Sequence, residues 1–262
     1  MDVPLIAAPV PVPRRVASGR GWTWLREAFD LFKQAPGTWI VIVLIYLVID
    51  IVGSMLPGGS LLTTLLGQVF GGGLMLACAA ADSGQKPKIG QLFAGFSGGR
   101  FGPLLLLAIL YMGAMLILAV FGLLLALAFS ALPLSEIRAM DLTAPDAVIE
   151  QLMPQLLSNL PLILVVLILV LLYIPLVMGL WLAPALIVLR GQQPIAAFKL
   201  SLRACVINAV PFLVYGAFGL LLTIAASIPL LLGWLVAAPV FFISIYTSYR
   251  DIFPLESDLS MT

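Results

Sequence analysis

The chain has 262 residues, 62% of them hydrophobic and 10% charged, with a formal net charge of +1 and no histidine. A mean hydropathy of +1.17 lies outside the range of soluble domains. The absent imidazole also removes the commonest metal ligand and general base.

In chain order, residues 1–19 read as a disordered cytoplasmic tail, proline-rich and without the basic flank of a cleavable signal. Trp22 to Gln34 has helical periodicity: Trp22, Trp24, Leu25, Ala28, Phe29, Leu31 and Phe32 share one half of the wheel. Such a helix is expected in the membrane interface with its aromatics in lipid. Apolar runs long enough to cross a bilayer follow at about 37–56, 61–81, 103–129, 160–189, 211–228 and 230–249. Pro57-Gly58-Gly59-Ser60 reads as a hairpin turn between the first two, and the last two meet near Ile228-Pro229 with almost no loop. Residues 160–189 contain Pro175 and Pro184, so a single kinked span is expected. Pro36, Pro103, Pro161 and Pro211 mark helix starts, where a missing N–H is harmless. The loop 130–159 carries a surface helix that starts at Thr143-Ala144-Pro145-Asp146.

All but one (Arg138) of the 13 Lys and Arg residues fall in segments on one side of these spans. Basic residues in short loops stay cytoplasmic. Both termini are therefore expected in the cytoplasm, with 130–159 outside and residues 254–262 as a flexible cytoplasmic tail. Cys78 and Cys205 fall near the cytoplasmic face, so no disulfide is expected. An internal echo supports a repeated unit of surface helix, proline and two spans. Gly84-Gln85-Lys86-Pro87 matches Gly191-Gln192-Gln193-Pro194, and Gly72 aligns with Gly179. The surface helices of the later copies are Ile89 to Phe96, interrupted by Gly90 and Gly95, and a stripe of Ile195, Phe198, Leu202 and Cys205.

Arg190-Gly191, Pro194, Ala197-Phe198, Leu200-Ser201, Arg203-Ala204-Cys205, Asn208, Pro211-Phe212-Leu213 and Tyr215-Gly216 form one recognisable run. Gly19-Arg20-Gly21-Trp22, Leu92-Phe93-Ala94-Gly95-Phe96 and Ser248-Tyr249-Arg250-Asp251-Ile252-Phe253 accompany it. With these marks the chain resembles a family of uncharacterised proteobacterial inner-membrane proteins over residues 19 to 253. More remotely it is similar to the membrane domain attached to some glycerophosphoryl diester phosphodiesterases, which carries no catalysis. The resemblance implies a fold and a topology, and no activity.

Asp50 is the carboxylate that falls inside an expected span, which makes it a candidate for proton or cation coupling. Gln68 lies at equal depth across the first hairpin and is the expected hydrogen-bond partner. The structural reading of this pair is favoured, because no second charge appears within any span. Gly67, Gly71, Gly72 and Gly73 are expected to let helices approach closely. Arg26, Lys33, Lys86, Lys88, Arg190, Lys199 and Arg203 are candidate contacts for lipid headgroups. No catalytic motif, metal site or cofactor is expected, and no nucleic-acid partner.

The expected architecture of residues 20–253 is an all-α polytopic membrane protein, six transmembrane helices in three hairpins with amphipathic interfacial helices on the cytoplasmic face. The expected role is a non-enzymatic accessory, assembly or lipid-interacting scaffold of the bacterial inner membrane. Its partners would be membrane lipids, another membrane protein or itself. The alternative is a transporter or flippase for a lipid or other amphiphile.

Overall fold

The computed structural model describes residues 11–128, 160–228 and 231–254. The described elements are all helical. In order they are α1 (Arg20–Gln34), α2 (Pro36–Ser54), α3 (Gly59–Asp82), a 3-10 helix (Ile89–Phe96), α4 (Phe101–Ala128), α5 (Leu160–Trp181), α6 (Ala183–Arg190), α7 (Pro194–Ile207), α8 (Ala209–Ser227) and α9 (Trp234–Ile252). The expected periplasmic helix after Thr143, Arg138 and the last eight residues lie outside the described ones.

Among the described residues, five stretches are long and apolar enough to cross a membrane: α2, α3, α4, Leu160–Arg190 and α8. The sixth expected span, α9, has 19 residues, but Arg250, Asp251 and several hydroxyl side chains keep it below that hydropathy. The expected helix starts agree with the structure. Pro36 opens α2, and Pro103, Pro161 and Pro211 fall in the first turns of α4, α5 and α8. Between α2 and α3 the chain reverses at Gly58, whose φ of 72° is a left-handed conformation that costs glycine nothing. The later turn, from Ser227 to Trp234, is longer than expected. It is closed by a Trp234 Nε1–H donation to Ser227 Oγ at 3.2 Å.

The chain divides into two compact units. The smaller, Leu110–Val177, holds the C-terminal part of α4 and the N-terminal part of α5. Within it a Cβ on Gly122 would fall 2.7 Å from Leu169 Cδ1, and Ala126 and Leu162 form a small buried cluster. The larger unit contains the remaining described residues. Its core joins Trp24, Trp39, Leu74, Leu92, Leu104, Leu186 and Ile243, all nearly inaccessible.

In this larger unit α3 is the most enclosed span, packed against the 3-10 helix, α6, α2 and α9. Its glycines work differently from expectation. A Cβ on Gly71 would meet open space, and one on Gly67 would only graze Tyr46 at 3.7 Å. The close approaches are at Gly72, where a Cβ would lie 2.7 Å from Leu104 and 2.9 Å from Val188, and at Gly73, 2.2 Å from the Leu92 carbonyl. Gly95 returns the contact, 2.1 Å from the Val69 carbonyl. The glycine that breaks the expected surface helix is therefore what seats the 3-10 helix, backbone against backbone, on α3.

The later surface helix is also rotated from expectation. Its buried face is Ala197, Ser201, Ala204 and Cys205, while Ile195 is 55% exposed. Small residues permit close approach where lipid offers no hydrophobic penalty for exposing a large side chain. Both arms of the internal echo turn through left-handed glycines, φ 81° at Gly84 and 63° at Gly191.

The interruption of 160–189 has a definite cause. Helix α5 runs through Pro175 and stops at Trp181. Ser201 Oγ, from α7, accepts the Leu182 N–H at 2.9 Å and donates to the Met178 carbonyl at 2.7 Å. A hydroxyl thus stands inside what would be an i to i−4 bond, a recognised way to break a helix. Pro184 follows in the first turn of α6, where its missing N–H does no harm. Ser201→Ala is expected to lower stability by about 1–3 kcal/mol, because two buried backbone groups lose their bridge. Thermal unfolding in detergent reads this directly. No change would mean that the Leu182–Met178 bond simply closes.

Candidate functional site: a charged clasp

Six charged side chains of the larger unit converge where the expected tail, α1, α3 and the end of α9 meet. Asp251 is the hub, with a side chain only 5% exposed. Its Oδ1 accepts from Arg14 at 2.9 Å, and its Oδ2 accepts from Arg20 Nε at 2.5 Å and from Trp24 Nε1 at 2.8 Å. Arg20 also reaches Glu27 Oε1 at 2.9 Å. Glu27 Oε2 accepts from Arg250 at 2.6 Å, and Arg250 pairs with Asp82. Tyr246 donates its hydroxyl to Asp82 Oδ2 at 3.0 Å.

Three guanidinium groups (Arg14, Arg20 and Arg250) thus close on three carboxylates (Glu27, Asp82 and Asp251). Burial by itself would push the Asp251 carboxyl up. Hydrogen bonds from Arg20, Trp24 and Arg14 outweigh it and hold the group below the usual carboxylate range. For Arg20 burial opposes the charge, yet the Asp251 and Glu27 contacts hold the guanidinium above its ordinary value.

Residues 11–19 are not a free tail. Arg14 donates to the Asp251 carbonyl at 2.7 Å as well as to its side chain. Asn208 clips the same strand, accepting from Val16 N–H at 2.8 Å and donating to the Arg14 carbonyl at 3.0 Å. The basic pair that looks like tail chemistry is anchored because a buried acid awaits its first member. Helix α1 is likewise more than an interfacial helix. Trp24, Leu25, Ala28, Leu31 and Phe32 are buried in the protein, and Trp22 and Phe29 remain exposed. Gly21 allows this, since a Cβ there would lie 2.2 Å from the Pro211 carbonyl.

The expected intramembrane pair does not form. Asp50 and Gln68 are both half-buried on packed helices, and no hydrogen bond joins them. Of the candidate headgroup contacts, Arg190 is consumed internally: it donates to Tyr249 Oη at 3.1 Å and to the Phe253 and Pro254 carbonyls at 2.8 and 3.0 Å. Lys33 pairs with Asp30 at 2.7 Å on an exposed face. Arg26, Lys86, Lys88, Lys199 and Arg203 are exposed. Both cysteines are free and buried, and burial pushes the Cys205 thiol up to about 12, so it stays protonated and inert. The clasp residues carried one visible signal: Arg20, Arg250 and Asp251 lie in the motifs at the two ends of the family resemblance.

The chain matches no protein-family model, and no solved structure matches it. It is 26% identical over 213 residues to a protein of Burkholderia thailandensis described as a probable inner membrane protein, covering 81% of this chain and 76% of the relative. The remoter likeness to the membrane domain of the phosphodiesterases receives no support from these comparisons. Five membrane-length apolar helices and this likeness together make the chain an all-α, integral, multi-pass inner-membrane protein.

Proposed function

We propose that the chain is a non-enzymatic accessory or lipid-interacting scaffold with six spans in three hairpins and both termini in the cytoplasm. The observation that carries this reading is the clasp. Its six charges are spent on one another and on tying the N-terminal segment to α9, which suits a rigid frame better than proton or ion chemistry. The tyrosines within the larger unit's helices are engaged in the same way. Tyr215 shares a hydrogen bond with Ser244 at 2.8 Å, and Tyr46 packs edge-on against Phe70 and Phe242. The sixth crossing would be the apolar run 230–249, which ends before Arg250 and Asp251. The charge asymmetry sets the orientation.

Cysteines introduced at positions 90 and 200 should then label from the cytoplasm and one at 145 from outside. Labelling of 145 from the cytoplasm alone reverses the orientation.

One observation favours the transporter reading. Asp50 lies on a spanning helix without the partner that would make it structural. Proteoliposomes enclosing a pH-sensitive dye, or carrying a fluorescent phospholipid, separate the two readings. The scaffold reading expects no protein-dependent proton entry or lipid scrambling. Flux that Asp50→Asn abolishes, in a protein that remains folded, establishes transport instead.

A further inference from the structure

A groove opens between α1, α8 and α9, apart from the clasp, with a volume of about 350 Å³. Its walls are apolar: Trp22 and Phe29 from α1, Phe218 and Leu222 from α8, Val236 and Val240 from α9. Trp22 and Phe29 are the flank of α1 that the protein leaves uncovered, at 48% and 43% exposure. The Trp22 ring rests 4.8 Å from Phe218. Helix α8 is one of the membrane-length helices, so hydrocarbon is the solvent beside this groove. The volume is at the small end of ligand pockets, which run to about 300–1,000 Å³, and suits one chain of a lipid better than a whole diacyl molecule.

The groove has a single charged lining residue, Arg26. Other charges near it on α1 are committed. Asp30 is bonded to Lys33, which also lies over the Phe29 ring, and Glu27 belongs to the clasp. Arg26 forms no ion pair with any described residue, its nearest influence being the field it exerts on Asp30. With Arg26, Asp30 and Lys33 summed, the rim carries one net positive charge beside an apolar slot. That pairing fits an amphiphile with an anionic head.

We infer that this groove holds one acyl chain of an anionic membrane phospholipid, with the headgroup phosphate on the Arg26 guanidinium. The inference deepens the scaffold reading, on which it rests, by giving the lipid contact one address. Arg26 supplies a planar fork that matches two phosphate oxygens, and the slot supplies the apolar surface.

The test uses the full chain in phosphatidylcholine nanodiscs doped with phosphatidylglycerol or phosphatidylcholine brominated on the acyl chain, which quenches nearby tryptophan. Comparison with Trp22→Phe isolates the Trp22 contribution. Brominated phosphatidylglycerol should reach Trp22 at about fivefold lower mole fraction than brominated phosphatidylcholine, the advantage one cation supplies at an anionic surface. Arg26→Gln should equalise the two lipids, while Arg100→Gln, at a basic residue that does not line the groove, leaves the preference unchanged. Equal quenching in the parent protein, or a preference that survives Arg26→Gln, overturns the inference and leaves only ordinary surrounding lipid. Loss of the preference in excess inorganic phosphate would assign Arg26 to a free ion and overturn it too. The flux assay decides the scaffold reading without reference to bromine, so the two fail separately.

Discussion

Replacing Asp251 by alanine is expected to cost about 3–5 kcal/mol, the usual penalty for stripping one partner from a buried ionic cluster, and to abolish recovery of folded protein from membranes. The mutation leaves Arg20 and the Trp24 N–H facing an empty site and removes the Arg14 ion pair, while the Asp251 carbonyl and Asn208 still hold the N-terminal segment. Arg14→Ala is expected to cost no more than about 1 kcal/mol, because its side chain is 48% exposed and water replaces the lost partner. Size-exclusion profiles and thermal unfolding in detergent rank the two. Equal effects would mean that Asp251 is not the hub.

The same group sets a pH dependence. Its folded pKa is depressed, so its contribution is complete above its unfolded value, near 3.8. The contribution is lost as pH falls through the lower folded value. Stability should therefore decline on acidification below about pH 4, and Asp251→Asn should flatten that part of the profile. An unchanged slope in the variant would assign the acid sensitivity to other carboxylates.

Alanine at Gly73 or Gly95 should destabilise by about 1–3 kcal/mol or more, since overpacking here is against backbone and cannot be relieved by a rotamer. The added carbon would fall 2.2 Å from the Leu92 carbonyl at Gly73 and 2.1 Å from the Val69 carbonyl at Gly95. Gly71→Ala should instead be neutral or gain up to about 1 kcal/mol through helix propensity, since nothing lies within 4 Å of its added carbon. Melting temperatures of the three variants in one detergent test the contrast. If Gly71→Ala is the most damaging, α3 does not pack as described.

Hydropathy and charge are local properties of the chain, and they determined what is local in the fold. The apolar runs, the helix starts at Pro36, Pro161 and Pro211, the reversal at Gly58 and the twin turns at Gly84 and Gly191 all follow from neighbours in sequence. Which face of each helix meets protein was not legible. Lipid and core both accept leucine, so a span carries no polar stripe to reveal its buried side. The expected stripe of α7 therefore left out Ala197, Ser201 and Ala204, and Gly71 was grouped with Gly73 although only Gly73 meets a neighbouring backbone. The clasp was hidden for a second reason. Asp251 finds Arg14 across 237 positions and Trp24 across 227, and no periodicity connects residues so far apart. Ser201 is the same case at shorter range, its meaning set by a carbonyl 23 residues earlier. Only the tertiary fold decided these pairings, because a buried charge or backbone group must be satisfied by whatever the packing brings within reach.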